Sequence, residues 1–227
     1  MDLLVFINKI KSMLEIKNIT FGYNNYKLFE NLSFNVNYGE IVKISGTNGS
    51  GKTTLLNCIN GFLRLQSGEI IFDGEKINDL PVFKISNLGI KRYIPDREFY
   101  GMKIEDILRL VYNKTESKKI LEVFKYSGKQ ISGKLSGGER TLLYLILTLK
   151  GAKVVLLDEP FNNLDQNKIT LIRDFILKLK QNNIAVIVTD HSNNIEFDKE
   201  IKMKKIDYSI QSNVVDYNYD FLINTIK

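Results

Sequence analysis

Eight consecutive residues, Gly46-Thr47-Asn48-Gly49-Ser50-Gly51-Lys52-Thr53, carry the most specific chemistry in the chain. A β-like run, Ile41-Val42-Lys43-Ile44-Ser45, precedes them, and a helix-like run opens at Thr54. Strand, glycine-rich loop and helix in that order are what a P-loop requires. Gly46, Gly49 and Gly51 let the backbone curl with its N–H groups turned inward, where side chains would block a phosphate. Thr47, Asn48, Ser50 and Thr54 complete the candidate phosphate-binding set. Lys52 brings a compact positive charge to the β- and γ-phosphates, and Thr53 offers a hydroxyl to Mg²⁺. The helix that follows adds its N-terminal dipole. The structural alternative is a glycine-rich turn that happens to open a helix, and the full pattern in its full context argues against it.

Two further groups could serve the same ligand. Val154-Val155-Leu156-Leu157 reads as a buried strand, and it ends in Asp158-Glu159-Pro160. Carboxylates at the C-terminal end of such a strand lie where open α/β sheets place their ligands. Asp158 is the candidate for holding Mg²⁺ through water, and Glu159 the candidate for accepting a proton from an attacking water. Ser136-Gly137-Gly138-Glu139 opens an almost wholly apolar helix. One reading is a capping box, with Ser136 as the cap and Glu139 reaching back. It leaves unexplained two glycines in the first turn, each disfavoured by about 1 kcal/mol against alanine inside a helix. Bare N–H groups at a helix N-terminus also make an anion site that a phosphate can approach closely.

Elements to position these groups follow from the hydrophobic period. Leu14 to Phe21 alternates like a half-buried strand that Gly22 breaks, and Leu32 to Val36 alternates again. Strands are expected at Ile70–Phe72, Ile90–Ile94, Val154–Leu157 and Ile184–Val188, the last ending at Thr189-Asp190-His191. Ile104 to Phe124 has a helical period, and so does the segment after Asp165, a candidate N-cap. Short alternating runs at Ile206–Ile210 and Val214–Tyr217 and an amphipathic end at Phe221–Ile223 close the chain. Apolar strands alternating with helices predict an α/β fold: a P-loop NTPase with a mostly parallel core, an antiparallel N-terminal edge sheet and a short inserted helical subdomain. The expected layout is a single domain over 1–227, with core 13–95 and 150–227 and a helical insertion at about 96–149.

Composition sets bounds. The 227 residues can bury one sizeable core. The net charge of +6 comes from dispersed lysines rather than a basic run, so nucleic acid is not an expected partner. Cys58 is the only cysteine and His191 the only histidine, which excludes an intrachain disulfide and a multi-cysteine zinc site. The opening Met1–Ile7 is apolar but too short to span a bilayer, and residues 1–12 read either as an extension ahead of Met13 or as the product of a wrongly chosen start codon.

The set of motifs resembles the ATPase subunit of an ABC transporter. Leu135-Ser136-Gly137-Gly138-Glu139 resembles the family's signature, with Glu139 where glutamine is commoner. The P-loop, the signature, Leu156-Leu157-Asp158-Glu159-Pro160, Asn163-Leu164-Asp165 and His191 occur in the family's order. The resemblance covers about Leu14 to His191. It implies ATP and Mg²⁺ as cofactors, Tyr23 on the adenine with Tyr26 as a rival, His191 at the γ-phosphate, and Asp165 at a dimer interface or simply capping its helix. It implies head-to-tail pairs, homodimeric or heterodimeric, in which Ser136-Gly137-Gly138 of one subunit covers the ATP on the P-loop of the other. It further implies a separate transmembrane permease that keeps this subunit on the cytoplasmic face of the cell membrane. The alternative is a soluble ABC-type ATPase of repair, translation or iron–sulfur assembly.

Three departures touch coupling to a permease. The family's glutamine at the join between core and insertion is missing; the stretch reads Tyr93-Ile94-Pro95-Asp96-Arg97-Glu98. Asp96 either approaches Mg²⁺ or points to solvent. The helix after the signature, Arg140 to Leu149, is richer in leucine than the family's arginine- and alanine-bearing one. The insertion is short.

Overall fold

Alternating burial builds the first sheet. The computed structural model describes residues 13–205, apart from 25, 95–98, 100, 124, 126, 128, 192 and 193. Strands β1 (Leu14–Tyr23), β2 (Tyr26–Val36), β4 (Ser67–Phe72) and β5 (Glu75–Lys76) pair antiparallel in the order β2-β1-β4-β5. Gly22 does not break β1. The strand runs on to Tyr23, which pairs with Tyr26, and a side chain at Gly22 would run into the Tyr26 carbonyl. Glycine is needed there because the hairpin partner passes so close.

The second sheet is parallel. It contains β3 (Ile41–Ser45), β6 (Ile90–Arg92), β7 (Val154–Asp158), β8 (Ala185–Thr189) and β9 (Lys199–Lys202), in the order β6-β7-β8-β3-β9. Its inner strands are apolar on both faces because both are covered. Val42, Ile44, Leu156 and Ile187 face one core with α1 (Lys52–Ile59) and the antiparallel sheet. Ile41, Val155, Leu157, Val186 and Val188 face the other. That second core includes α3 (Ile104–Arg109), which follows α2 (Val82–Leu88), together with α5 (Gly137–Thr148) and α6 (Gln166–Gln181). Since β3, β7 and β8 run parallel, their C-terminal ends share one edge, and the P-loop, Asp158 and Thr189 come together there.

Three expectations change. The helical period from Ile104 falls in two segments, as its two sets of apolar positions suggest, but the first helix stops at Arg109, short of Val111 and Tyr112, and the second runs over α4 (Lys114–Val123). Asn113 Oδ1 accepts from Glu116 N at 2.9 Å while Glu116 Oε2 accepts from Asn113 N at 2.8 Å, a reciprocal cap that opens a new helix. Helix α2 and strand β9 had not been expected. The first buries only Ile85 and the second reads Lys-Glu-Ile-Lys, so neither shows a hydrophobic period. Residues 1–12, Phe124 and the runs at 206–210, 214–217 and 221–223 lie outside the described residues.

Candidate functional site

The P-loop is shaped by close packing. Gly51 caps α1 with φ +91°, a left-handed conformation that suits glycine. A Cβ on Gly46 would stand 2.5 Å from both Met203 O and Ser50 Oγ, so only glycine fits. Ser50 is buried, and its Oγ lies against this spot without a hydrogen-bond partner. Lys52 is also buried; its Nζ donates to Gly46 O at 2.9 Å and Thr47 O at 3.3 Å. The ammonium is folded into the curl of the loop, where a phosphate chain would meet it. Beside the loop is a pocket of about 360 Å³ lined by Tyr23, Leu28, Asn48, Gly49, Gly51, Lys52, Thr53, Thr54 and Glu159. Tyr23 stands edge-on to Phe21, with ring centroids 5.1 Å apart, and is half exposed. Tyr26, its cross-strand partner, does not line the pocket.

The carboxylates converge on the same edge. Asp158 Oδ1 accepts from Thr53 Oγ1 at 3.2 Å and from Thr189 Oγ1 at 2.8 Å. Its other oxygen, Oδ2, accepts from Arg92 at 3.2 Å. Thr189 is buried, and its hydroxyl also accepts from Glu159 N at 3.0 Å. Glu159 has φ +47°, a conformation that costs a non-glycine residue about 1–3 kcal/mol. Two bonds from its N–H, to Thr189 O at 3.1 Å and to the Thr189 hydroxyl, hold it there. Its carboxylate is shared: Oε1 lies 3.0 Å from His191 Nε2, and Oε2 accepts from Asn162 Nδ2. His191 Nε2 is also 3.2 Å from Lys52 Nζ. One ring nitrogen cannot serve both: protonated, Nε2 donates to Glu159; unprotonated, it accepts from Lys52.

The oxygens present suit Mg²⁺. Thr53 Oγ1 and Asp158 Oδ1 are hard ligands side by side at the mouth of the phosphate loop. Among the described residues no group of three or more His, Cys, Asp or Glu could hold a metal alone. Mg²⁺ ordinarily needs no such cage, because one or two protein oxygens, water and substrate phosphates complete its shell.

The signature region keeps its capping box: Ser136 Oγ accepts from Glu139 N at 3.4 Å and Glu139 Oε2 from Ser136 N at 2.8 Å. The two glycines differ. Gly137 is exposed, with only Leu164 Cδ2 within 4 Å of a would-be Cβ, at 3.9 Å; Gly138 is buried under Lys168. The expectation that both glycines open the turn to a phosphate therefore holds sterically for Gly137 alone. None of Ser136, Gly137 and Gly138 lines that pocket of about 360 Å³, but Gly137 lines a neighbouring cleft of about 440 Å³ with Thr53, Asp158 and Glu159. Asp165 does cap α6, accepting from Lys168 N at 3.0 Å and pairing with Lys168 Nζ at 2.6 Å. Those two bonds from Lys168 hold its carboxyl below the usual range. Asp96, with Pro95, Arg97 and Glu98, lies outside the described residues.

Sequence reasoning had missed Leu28, Asn57, Arg92 and Asn162. Only Arg92, on a strand neighbouring the one that ends at Asp158, had a visible placement. Residues 29–162 match the ABC transporter family. The lipopolysaccharide export system ATP-binding protein LptB of Haemophilus influenzae is 31% identical over 196 residues, 80% of this chain and 81% of that one. The chain belongs to the ABC transporter family. A probable ABC transporter ATP-binding protein of Azorhizobium caulinodans is 33% identical over 185 residues, 75% of this chain and 66% of that protein. A nucleotide-free ATP-binding cassette of an ABC transporter superposes with a TM-score of 0.77 at 25% identity, covering 86% of this chain and 90% of that one. A dimeric bacterial ABC transporter cassette gives 0.71 at 25% identity, covering 85% and 94%. The chain is thus an ATP-binding subunit of this family, an ATPase on a P-loop NTPase fold, rather than one of the soluble alternatives. No helix among the described residues is long and apolar enough to cross a membrane.

Proposed function

We propose that this subunit binds Mg²⁺-ATP on its own P-loop, closes head-to-tail on a second cassette, and reopens on hydrolysis to drive a separate permease from the cytoplasmic face of the cell membrane. The observation that carries the reading is the division of the machinery. Lys52, Thr53, Asp158, Glu159 and His191 gather at one sheet edge, while no signature residue lines the pocket over the phosphate loop and only Gly137 reaches the neighbouring cleft beside Thr53, Asp158 and Glu159. In this scheme a second copy, or a related cassette, brings its Ser136 and Gly137 over the phosphate loop.

In this scheme the bare N–H groups of the loop and Lys52 hold the phosphates, and Tyr23 and Leu28 flank the base and ribose end. Thr53 and Asp158 would hold Mg²⁺, which supplies charge neutralisation between the β- and γ-phosphates. Glu159 Oε1 accepts a proton from the attacking water, and Asn162 fixes the other oxygen of that carboxylate. His191 leaves Glu159 or Lys52 to meet the γ-phosphate, since both of its contacts are made by one nitrogen. Residues from about 96 to 149 form the insertion that faces the permease.

Glu159→Gln tests the scheme. Its amide cannot take the water's proton, so turnover should fall by about 10²–10⁴-fold. With ATP and Mg²⁺ the variant should accumulate as a dimer by light scattering. A strictly monomeric variant, or one with near-parental turnover, would sink the reading. Purification from membranes with the bound partner identified tests the permease: a multi-span protein is expected.

A further inference from the structure

Arg92 sits at the end of β6, the edge strand beside β7, and its guanidinium reaches across to the carboxylate that faces Thr53. It donates to Asp158 Oδ2 at 3.2 Å and to Asn57 Oδ1 on α1, and its Nε is buried without a partner. The side chains of Arg92 and Asp158 are only 15% and 14% exposed. Among the described residues Asp158 is the only carboxylate that Arg92 pairs with; Asn57 is neutral. Among the described residues Arg92 is therefore a largely buried cation with a single counter-charge.

We propose that Arg92 competes with Mg²⁺ for Asp158, and that this contest sets the metal concentration at which the subunit takes up nucleotide tightly. The inference rests on the reading of Asp158 as the metal-facing carboxylate. Arg92 acts through Asp158 and is a positioning residue. When a divalent cation draws on Asp158, the guanidinium a few ångströms behind repels it and loses part of its own pairing. The Arg92 and Asp158 side chains are both mostly buried, so neither effect is fully screened. The direction is diagnostic. An arginine that merely propped Asp158 in place would, on removal, loosen the site and raise the metal requirement. An arginine that competes would, on removal, lower it.

The experiment reads binding, not turnover. Affinity for a fluorescent ADP would be titrated against free Mg²⁺ at constant ionic strength. The forms compared are the parent, Arg92→Gln, Asn57→Asp, Lys91→Gln and Asp158→Asn. Arg92→Gln should lower the Mg²⁺ midpoint by about tenfold. Asn57→Asp gives the guanidinium a carboxylate of its own and should move the midpoint the same way, so the test survives if Arg92→Gln fails to fold. Lys91→Gln removes a neighbouring charge whose ammonium donates to the Ser86 hydroxyl at 3.1 Å, and should leave the midpoint unchanged. The proposal is overturned if the Arg92 and Asn57 variants keep or raise the parental midpoint, or if Lys91→Gln shifts it equally. Asp158→Asn separates the two layers. If it abolishes the Mg²⁺ dependence while the other variants do nothing, only the role of Arg92 fails. If it keeps the parental midpoint, the metal-facing reading of Asp158 fails with it.

Discussion

Lys168 lies across Gly138. A Cβ on Gly138 would stand 2.6 Å from Lys168 Cγ and 2.8 Å from its Cδ, and the ammonium at the end of that chain pairs with Asp165. One side chain thus joins the first turn of α5 to the cap of α6. The missing side chain of the second signature glycine is used inside the subunit, to let two helix N-termini pack closely.

Gly138→Ala should therefore destabilise the fold by about 1–3 kcal/mol, because the clash falls on the middle of the lysine stem and not on its free end. Lys168→Ala should remove most of that cost when the two are combined. Urea unfolding of both single variants and the double variant forms the cycle. Strict additivity would show that the two residues do not crowd each other.

Thr189→Val should hurt both stability and turnover. The hydroxyl is fully buried and bridges Asp158 Oδ1 to Glu159 N. Losing it should cost about 1–3 kcal/mol and free Glu159 from part of what holds its φ. Thr189→Ser should keep both bonds. Urea midpoints and steady-state ATPase rates check this; parental values for the valine variant would count against it.

Lys52→Ala should abolish tight ATP binding, as measured with a fluorescent analogue. The ammonium is the one charge folded into the loop, and the backbone N–H groups alone do not offset a triphosphate. Affinity retained within a few-fold would remove the loop from the site.

The parts of this architecture that were legible were those with a local signature. β3 was expected at Ile41–Ser45 and is found there, because an apolar run abutting a glycine-rich loop fixes both of its ends. The parallel α/β core was likewise visible in the apolar runs. What escaped depends on neighbours distant in sequence. β9 is an edge strand whose charged residues owe their place to β3, more than 150 residues away. Tyr23 and Tyr26 face each other across the hairpin, and only Tyr23 lines the loop pocket, beside residues such as Asn48 and Glu159 that lie far along the chain. The bond from Arg92 to Asp158 spans 66 residues and joins two strands that only the sheet order makes adjacent.

Cys58 provides an internal clock for unfolding. Burial pushes its thiol up to about 12, and at pH 8 it should stay protonated and out of reach. A raised thiol pKa suppresses the reactive thiolate until pH approaches that value or the site opens. Modification by a chromogenic disulfide reagent should be negligible in native buffer and complete in denaturant. Rapid labelling of the native protein would contradict the buried placement.

The carbonyl of Met203 backs directly onto Gly46, and Met203 N donates to Ser45 O at 2.8 Å. The loop written in the first quarter of the chain is thus braced by a residue almost at the end of the described fold. During synthesis, a nascent chain that has passed Thr53 holds every residue of the phosphate loop without the wall behind it. That wall arrives only when β9 docks beside β3. Long-range closure of this kind comes late in folding. Nucleotide affinity should therefore rise steeply once the segment through Met203 has been made and β9 has docked, which couples the ability to bind ATP to a strand made about 150 residues after the loop.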